Sequence, residues 1–274
     1  MVDTLTSPAN PTLKAIRALH DKRHRRADGR FLAEGLRIVT EALDAGQVPE
    51  VLVFAEANAG HALVRRLVAA TEGAGGQAIA TTPAMLSRLT GKDNPQAVVG
   101  VFRATPTPLE RLDAAAAPLW LVLQAIRDPG NLGTILRTGD AVGAGGVILL
   151  DDCCDPYGVE AVRASMGAVF TQGVTQAEGP AFFDWAKGRG SVAGAVLAGA
   201  VDYRDATYPR PTFLLLDNEQ AGLPPDYAAR CDARVKLPMR GRADSLNVAV
   251  AAGVLAYHVI AAQGDGQGAA AALG

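Results

Sequence analysis

The stretch from Leu237 to Val248 combines residue types that could bind a small ligand. It reads LPMRGRADSLNV and lies between a strand-like run over residues 233–237 and an apolar helix predicted over residues 248–262. Such a loop exposes backbone N–H and C=O groups beside an apolar wall, which suits a planar ligand with polar edges such as adenine. Ser245 is predicted to cap the helix, because its hydroxyl can accept a first-turn N–H. A loop that only begins a helix is the alternative.

Residues 14–30 are the most basic part of the chain, interrupted only by Asp21 and Asp28. Such a cluster can hold a phosphate backbone, with an affinity that falls as salt rises. A solvated helix end followed by a charged loop would show the same composition. The candidate RNA-binding residues are Lys14, Arg17, Lys22, Arg23, Arg25, Arg26 and Arg30.

The composition limits the class of protein. A length of 274 residues allows one or two domains, and 49% hydrophobic residues are enough for sizeable cores. The net charge of −2 argues against a wholly basic nucleic-acid binder but leaves room for a local basic patch. The three cysteines form neither a disulfide framework nor a zinc pattern, and we expect no bound metal. With no signal peptide and no apolar run of about 20 residues, a cytoplasmic protein is expected.

The first half of the chain alternates strands with helices, which is typical of an α/β domain. After a loose start over residues 1–9, Asn10 and Pro11 should begin a helix. Further helices are predicted over residues 36–45, 61–70 and 83–89, and strands over residues 51–54, 77–80 and 97–102. We place this domain at residues 1–105, followed by a Pro- and Ala-rich linker at residues 106–117.

The second half predicts another α/β domain, at residues 118–264, before a disordered Gly/Ala/Gln tail at residues 265–274. Buried strands are expected over residues 119–126, 146–150, 192–197 and 212–216. A tight turn over residues 128–133 should precede a helix over residues 134–142 that carries Arg137. Asp155 and Pro156 should begin a helix that runs to about Val169.

Three segments of the second half, in order, resemble the motifs of the SpoU (TrmH) family in the SPOUT class of RNA methyltransferases. They are residues 131–137, 216–223 and 237–247, and the resemblance covers about residues 118–262. The first half resembles the L30e-like substrate-binding domain of many members, through residues 7–11, Lys14, residues 31–35 and Pro95-Gln96. The resemblance implies an L30e-like domain followed by an α/β domain with a deep trefoil knot, and a homodimer built with help from the last helix.

The resemblance implies transfer of a methyl group from S-adenosylmethionine to a ribose 2′-hydroxyl. Arg137 matches the arginine usually assigned to activating that hydroxyl. Because a guanidinium stays protonated, holding a neighbouring phosphate and favouring a developing alkoxide is an alternative to acting as a base. Without the motif it would be an ordinary surface arginine, Asn131 a helix cap and Glu219 a solvated carboxylate. The implied catalytic residues are Arg137, Asn131, Glu219, Ser245 and Asn247.

For the cofactor, the resemblance implies backbone groups at the edges of adenine and leucines over its faces. One departure stands out, since family members commonly have glycine where this chain has Asp217. Its carboxylate could bond a ribose hydroxyl or crowd the site. The implied cofactor-binding residues are Gly199, Leu216, Asp217, Asn218, Gly222, Leu223, Leu237, Met239 and Leu246.

The two-domain organisation favours 23S ribosomal RNA as the substrate, because many tRNA-directed relatives lack the first domain. A tRNA 2′-O-methyltransferase is one alternative. A non-catalytic RNA-binding or ribosome-assembly protein on the same fold is another, with Asp217 as the possible lesion. A Rossmann-type methyltransferase is disfavoured, because Gly143, Gly145 and Gly146 follow a helix and precede a strand rather than following the first strand of a βαβ unit.

Overall fold

The computed structural model describes residues 3–5, 7, 9–196, 199–217 and 222–264. Two compact units account for them. The first contains residues 1–105 and 155–171, and the second contains residues 106–154 and 172–274. The chain therefore enters the second unit near Pro106, returns to the first at Asp155 and leaves it after Thr171.

The first unit is built on a mixed five-stranded sheet in the order β1-β4-β3-β5-β2. Strands β1, β4 and β3 run parallel, while β5 is antiparallel to both β3 and β2. The strands are β1 (Asp3–Leu5), β2 (Arg30–Glu34), β3 (Val51–Ala55), β4 (Gln77–Thr81) and β5 (Val98–Arg103). The helices are α1 (Pro11–Ala18), α2 (Lys22–Asp28), α3 (Leu36–Asp44), α4 (Ala62–Gly73) and α5 (Pro83–Thr90), with a 3₁₀ turn at Glu56–Asn58.

Both faces of this sheet are covered, as the alternation along β3 shows. Leu52 and Phe54 pack in a core with α3 and α4. Val51 and Val53 point the other way, into a core with α1 and α5. Successive strand side chains face opposite sides of a sheet, so one apolar strand can serve two cores. The first unit is a three-layer α/β structure, as the alternation of elements predicted.

The second unit is built on a seven-stranded sheet in the order β10-β12-β9-β11-β6-β7-β8, and every pairing in it is parallel. It begins with 3₁₀ turns at Leu109–Arg111 and Ala114–Ala116, then β6 (Leu119–Gln124), α6 (Pro129–Ala141) and β7 (Val147–Leu150). The returning segment gives the first unit α7 (Val159–Ser165) and a 3₁₀ turn at Ala168–Phe170. The rest of the second unit comprises β8 (Val174–Ala177), α8 (Gly179–Ala186), β9 (Ser191–Ala195), β10 (Val201–Asp202), β11 (Thr212–Asp217), α9 (Pro225–Arg230), β12 (Ala233–Lys236) and α10 (Val248–Ala262).

Helices cover the two faces of the parallel sheet. On one face, Phe182 and Phe183 of α8 pack with Trp120, Phe213 and Tyr227. On the other, α10 packs against β6, β11 and α6. Parallel strands covered on both faces are expected to read as continuous apolar runs, and residues 119–123 and 213–216 are fully buried. This sheet brings the carboxyl ends of β9, β11 and β12 side by side.

Several elements differ from the prediction. Residues 3–5 form β1 rather than a loose start, because their backbone pairs with residues 79–81 of β4. The helix predicted at residues 134–142 begins five residues earlier, where Asp128 accepts a hydrogen bond from the Asn131 N–H. The helix predicted from Asp155 begins only at Val159, and Met166 at φ 52° ends it. Helix α2 and the elements β8, α8 and α9 were not predicted, and residues 265–274 lie outside the described residues.

Candidate active site

A cavity of about 680 Å³ lies at the carboxyl ends of β9, β11 and β12. Ligands of open parallel sheets bind at such strand ends, where loops diverge and leave a crevice. The loop over residues 237–246 and the first turns of α10 complete the wall. The volume falls within the roughly 300–1,000 Å³ of small-molecule sites.

The walls of the cavity are mainly apolar. Leu216 and Leu223 are buried where β11 ends and α9 approaches, and Leu255 lines the cavity from α10. Leu237, Met239 and Leu246 come from the loop. Aliphatic faces with backbone polar groups between them fit a flat nucleoside base, as the loop sequence predicted.

Four charged side chains line the cavity. Arg234, Lys236 and Asp244 are exposed, so water hydrates their charges. Asp217, the last residue of β11, is only partly exposed, and burial raises the pKa of its carboxyl to about 6. The cavity therefore holds one acidic group with an incomplete hydration shell.

Most of the residues predicted to bind a cofactor lie together around this cavity. Gly199 is not among its lining residues, and Asn218 lies outside the described residues. Sequence reasoning missed Ala195, Val196, Pro225, Ala228 and Ala229, which carry no recognisable binding pattern. The predicted residues that do line the cavity are Leu216, Asp217, Gly222, Leu223, Leu237, Met239 and Leu246.

Two of the predicted catalytic residues meet at the start of α10. The Asn247 side-chain amide donates a hydrogen bond to Asn131 Oδ1 over 2.9 Å, joining the first and third motifs. Asn247 Oδ1 also accepts from the N–H groups of Ala249 and Val250, so Asn247 is the N-cap of α10. The prediction that Ser245 caps this helix is wrong, because the helix begins later than Ser245 can reach. Ser245 lines the cavity instead.

Arg137 lies on α6, the helix that also carries Asn131. It is exposed, and its guanidinium forms no hydrogen bond or ion pair with the described residues. It does not line the cavity within the subunit. Glu219, another of the implied catalytic residues, lies outside the described residues. Arg137 is thus a free surface cation in the part of the chain that the structure describes.

The basic stretch in the first unit divides into surface residues and one structural residue. Arg25 is 8% exposed, and it donates to Asp155 Oδ2 through Nε at 2.9 Å and Nη2 at 2.7 Å. Its Nη1 donates to the carbonyl oxygens of Leu19 and His20. The prediction that Arg25 contacts RNA is therefore corrected, because its donors are used inside the protein. Arg30 pairs with Asp28, whereas Lys14, Arg17, Arg23 and Arg26 are exposed and Lys22 is partly so.

Comparison with known proteins bears on both units. The sequence profile of the SpoU rRNA Methylase family matches residues 118–257, and that of the MRM3-like substrate binding domain matches residues 10–100. The chain belongs to the SpoU rRNA methylase family. The L30e-like character predicted for the first half corresponds to the second profile.

One curated relative of this SpoU protein spans nearly its whole length. It is the 23S rRNA (guanosine(2553)-2′-O)-methyltransferase RlmP of Bacillus subtilis (strain 168). The two are 33% identical over 257 residues, which cover 93% of this chain and 98% of the relative.

Solved structures of SpoU relatives include complexes with the methyl donor. The AdoMet-bound rRNA methyltransferase from Sinorhizobium meliloti is 40% identical, with a TM-score of 0.86, covering 95% of this chain and 98% of that one. AviRb from Streptomyces viridochromogenes in complex with AdoMet is 29% identical, with a TM-score of 0.83, covering 94% of this chain and 100% of that one. These structures share the fold of both units.

No helix among the described residues is long and apolar enough to cross a bilayer. In the same part of the chain, no group of three or more His, Cys, Asp or Glu side chains is placed to hold a metal ion.

Proposed function

We propose that this protein transfers a methyl group from S-adenosylmethionine to a ribose 2′-hydroxyl of ribosomal RNA, within 23S rRNA. The observation that carries the proposal is the apolar cavity formed by the second and third SpoU motifs at the strand ends of a parallel sheet. The AdoMet-bound relatives share this fold over almost their whole length.

The residues present fit S-adenosylmethionine. Leu216, Leu223 and Leu246 offer aliphatic surface for an adenine face. Gly222 has a φ of +70°, a conformation that side chains disfavour, so the backbone can approach a ligand closely there. The bound donor supplies an electrophilic methyl group on a sulfonium, and the protein must align a ribose oxygen with it. Alignment of this kind lowers a barrier by up to roughly 7–11 kcal/mol.

In this proposal Arg137 acts on the RNA and not on the donor. Its guanidinium holds the phosphate next to the target ribose and stabilises the negative charge that develops on the 2′-oxygen. Its exposure and lack of a charged partner among the described residues leave all five N–H donors available. Asn131 and Asn247, joined by their hydrogen bond, fix the start of α6 relative to the loop over residues 237–246. Glu219 and Ser245 complete the proposed catalytic set.

The first unit supplies the RNA-binding surface in this proposal. Arg23 and Arg26 of α2, with Lys14 and Arg17 of α1, are exposed cations on two consecutive helices. Such a surface attracts phosphates without requiring a sequence. RlmP, which is named as a 23S rRNA methyltransferase, is similar along almost the entire chain, and this favours rRNA over tRNA. Modification of rRNA would place the protein in the cytoplasm.

We further propose a homodimer that uses α10. Val250, Val254 and Tyr257 are 52%, 40% and 58% exposed and recur at four- and three-residue spacing, so they form one apolar face. A contiguous exposed apolar face of this kind marks an interaction site. A second copy there would let Arg137 of one subunit serve either pocket. We also propose that the second unit contains the deep trefoil knot that the family resemblance implies.

Labelled methyl transfer tests this function. The purified protein is incubated with donor carrying a radioactive methyl group and with unmodified 23S rRNA, 16S rRNA or tRNA, and the RNA is then digested in alkali. In alkali, the ribose 2′-hydroxyl attacks the adjacent phosphate and cleaves the RNA chain. Methylation of this hydroxyl blocks the attack, so the bond after a 2′-O-methylated nucleotide stays intact. We expect labelled alkali-stable dinucleotides from 23S rRNA and none from 16S rRNA or tRNA.

The alternatives give different results in the same assay. Label in tRNA alone would make the protein a tRNA methyltransferase. RNA binding without labelling of any RNA would favour the non-catalytic assembly protein.

A further inference from the structure

Asp217 ends β11 with its side chain in the cavity. It lines the cavity beside Gly222, and its Oδ2 lies 3.7 Å from the place that a Cβ on Gly222 would occupy. The preceding residues, 212–216, are buried in the sheet, so the strand fixes where this carboxylate projects. The acidic group is therefore part of the cavity wall and not a surface residue near its mouth.

The electrostatic surroundings of this carboxylate are unusual. No other described residue donates a hydrogen bond to it or forms an ion pair with it. Arg234 and Lys236 of β12 and Asp244 of the loop also line the cavity, but all three are exposed and hydrated. The lining residues from β9, α9 and α10 carry no charge. Burial raises the pKa of Asp217 to about 6 and outweighs the opposite effect of its own backbone N–H, so near neutral pH an ionised and poorly hydrated carboxylate faces the ligand space.

We propose that Asp217 makes this cavity discriminate by charge, holding cationic S-adenosylmethionine in preference to S-adenosylhomocysteine, the product with a neutral sulfur. The inference rests on the proposed function, since it takes that donor as the occupant. The two molecules share the adenosine and the amino-acid group, and they differ by one methyl and one positive charge. A carboxylate short of water gains from the charge and little from the methyl.

This discrimination lowers product inhibition. A glycine at this position would offer no charge to tell donor from product. With Asp217, loss of the methyl cation removes the attraction at the moment of transfer, so the spent cofactor leaves more readily. The Asp217 carboxylate and the sulfonium of the donor are two unit charges within one cavity. At an effective dielectric constant near 20, their attraction favours the donor over the product on the order of tenfold.

The preference must depend on pH in a defined direction. Below the pKa of about 6 the carboxyl is protonated in the empty cavity, and the attraction for the donor is lost. As pH rises through that value, affinity for the donor increases and affinity for the product stays nearly constant. Binding the cation favours the ionised carboxylate, so donor binding near the pKa releases protons.

Isothermal titration calorimetry of the full chain tests the inference. The ligands are S-adenosylmethionine, S-adenosylhomocysteine and sinefungin, an analogue with an ammonium in place of the methylated sulfonium. Titrations at about pH 8 and about pH 5 bracket the carboxyl titration. In the wild type, both cations should bind more tightly than the product at the higher pH, by a ratio that shrinks at the lower pH. Asp217→Asn, which keeps the shape and removes the charge, should lower the ratio roughly tenfold.

Two variants and a stability check make the test specific. Asp217→Glu retains the charge and should keep the preference. Asp244→Asn removes an exposed carboxylate of the same cavity and should change the ratio much less. Melting temperatures of all variants show whether each is folded. If the wild type and Asp217→Asn bind both ligands with the same ratio, this inference is wrong while the proposed function stands. If the wild type binds none of the ligands, the proposed function fails and the inference with it.

Discussion

In the proposed function, Arg137 acts in transfer of the methyl group and not in binding of the donor. It lies outside the cavity of its own subunit and has no charged partner among the described residues. Arg137→Ala should therefore lower the single-turnover rate on the order of 10²–10³-fold, the cost of losing one preorganised charge stabiliser. Affinity for S-adenosylmethionine should stay near that of the wild type. Rapid-quench methyl transfer and calorimetry measure the two quantities.

The matched control for Arg137 is another exposed arginine of the same unit. Arg189 follows α8 and lies over the Trp185 ring. Arg189→Ala should alter neither rate nor affinity. Arg137→Lys should restore only part of the rate, because an ammonium lacks the two-pronged geometry for phosphate. Parallel loss of transfer and donor affinity in Arg137→Ala would contradict the assigned role.

Among individual residues, the sequence predicted the positions of some correctly and not those of others, and each difference has a physical reason. Leu237, Met239 and Leu246 could be placed in a pocket, since the motif carries their positions. Arg25 could not be distinguished from Arg23 and Arg26, because burial depends on Asp155, which lies 130 positions further along the chain. Ser245 was a reasonable cap by residue type, but Asn247 lies where α10 begins.

Arg25 of α2 is bonded to groups outside the helix, so its replacement should change the free energy of unfolding. The guanidinium donates to Asp155 and to the carbonyl oxygens of Leu19 and His20, and the Arg25 and Asp155 side chains are 9% and 15% exposed. Arg25→Ala leaves a largely buried carboxylate unpaired, and it should lower the free energy of unfolding by about 3–5 kcal/mol. Urea denaturation measures the change. Arg23→Ala, on the exposed side of α2, should stay within about 0.5 kcal/mol, and an equal effect of both would refute the structural role.

The exposed residues of α2 give a separate prediction about RNA. Replacing Arg23 and Arg26 by Ala removes two phosphate contacts, so the slope of log K against log salt should fall by about 2. Filter binding or anisotropy across a salt series measures that slope. The control replaces Arg37 and Arg65, two exposed arginines of the same unit outside the stretch, and removes the same charge. An identical slope in the wild type and the Arg23/Arg26 variant would exclude α2 from the RNA surface.

The first turn of α10 follows the loop over residues 237–246 and is capped by Asn247. The contribution of this cap to stability can be compared with that of the nearby Ser245. Asn247 accepts two N–H bonds of this turn and donates one bond to Asn131. Asn247→Ala should cost about 1 kcal/mol for the cap. Ser245→Ala, two positions earlier and without a cap bond, should be nearly neutral in stability. Thermal and urea unfolding of both variants decide this, and the reverse order would mean that Ser245 caps the helix.

At the scale of elements, long apolar patterns were predictable and short or irregular ones were not. The bounds of α10 and the positions of β6 and β11 follow from continuous apolar runs. Helices α8 and α9 carry Gly or Pro in their first turns and extend for only eight and six residues, so periodicity is too brief to detect. The helix expected from Asp155 ends at Met166. The left-handed backbone conformation of this residue is not predictable from any sequence pattern.

At the scale of the whole molecule, the residue patterns could not predict how distant segments of the chain pair. Alternating elements indicated two α/β regions, but composition contains no signal for the return of residues 155–171 to the first unit. The order β10-β12-β9-β11-β6-β7-β8 depends on crossovers between distant strands. Neither pairing order nor a threaded chain can be derived from hydrophobic periodicity, because periodicity describes one element at a time.

Self-association is the prediction that belongs to the whole molecule. The apolar face of α10, formed by Val250, Val254 and Tyr257, should pack against its equivalent on a second copy. The wild type should therefore sediment with twice the chain mass of 28.3 kDa. Replacing both Val250 and Val254 by Glu places two charges on each side of a twofold interface, and like charges that lose their water repel strongly. That variant should sediment as a monomer with an unchanged circular dichroism spectrum.

A control separates this face from apolar exposure in general. Leu63 on α4 of the first unit is 37% exposed and is not part of the proposed interface. Leu63→Glu should leave the sedimentation coefficient as in the wild type. The α10 double variant also gives a functional readout. If Arg137 serves the partner's pocket, this monomeric variant should lose methyl transfer while it still binds S-adenosylmethionine. If Arg137 serves its own pocket, methyl transfer by the monomer should continue. A dimer that survives both glutamates would show that the copies associate through another surface.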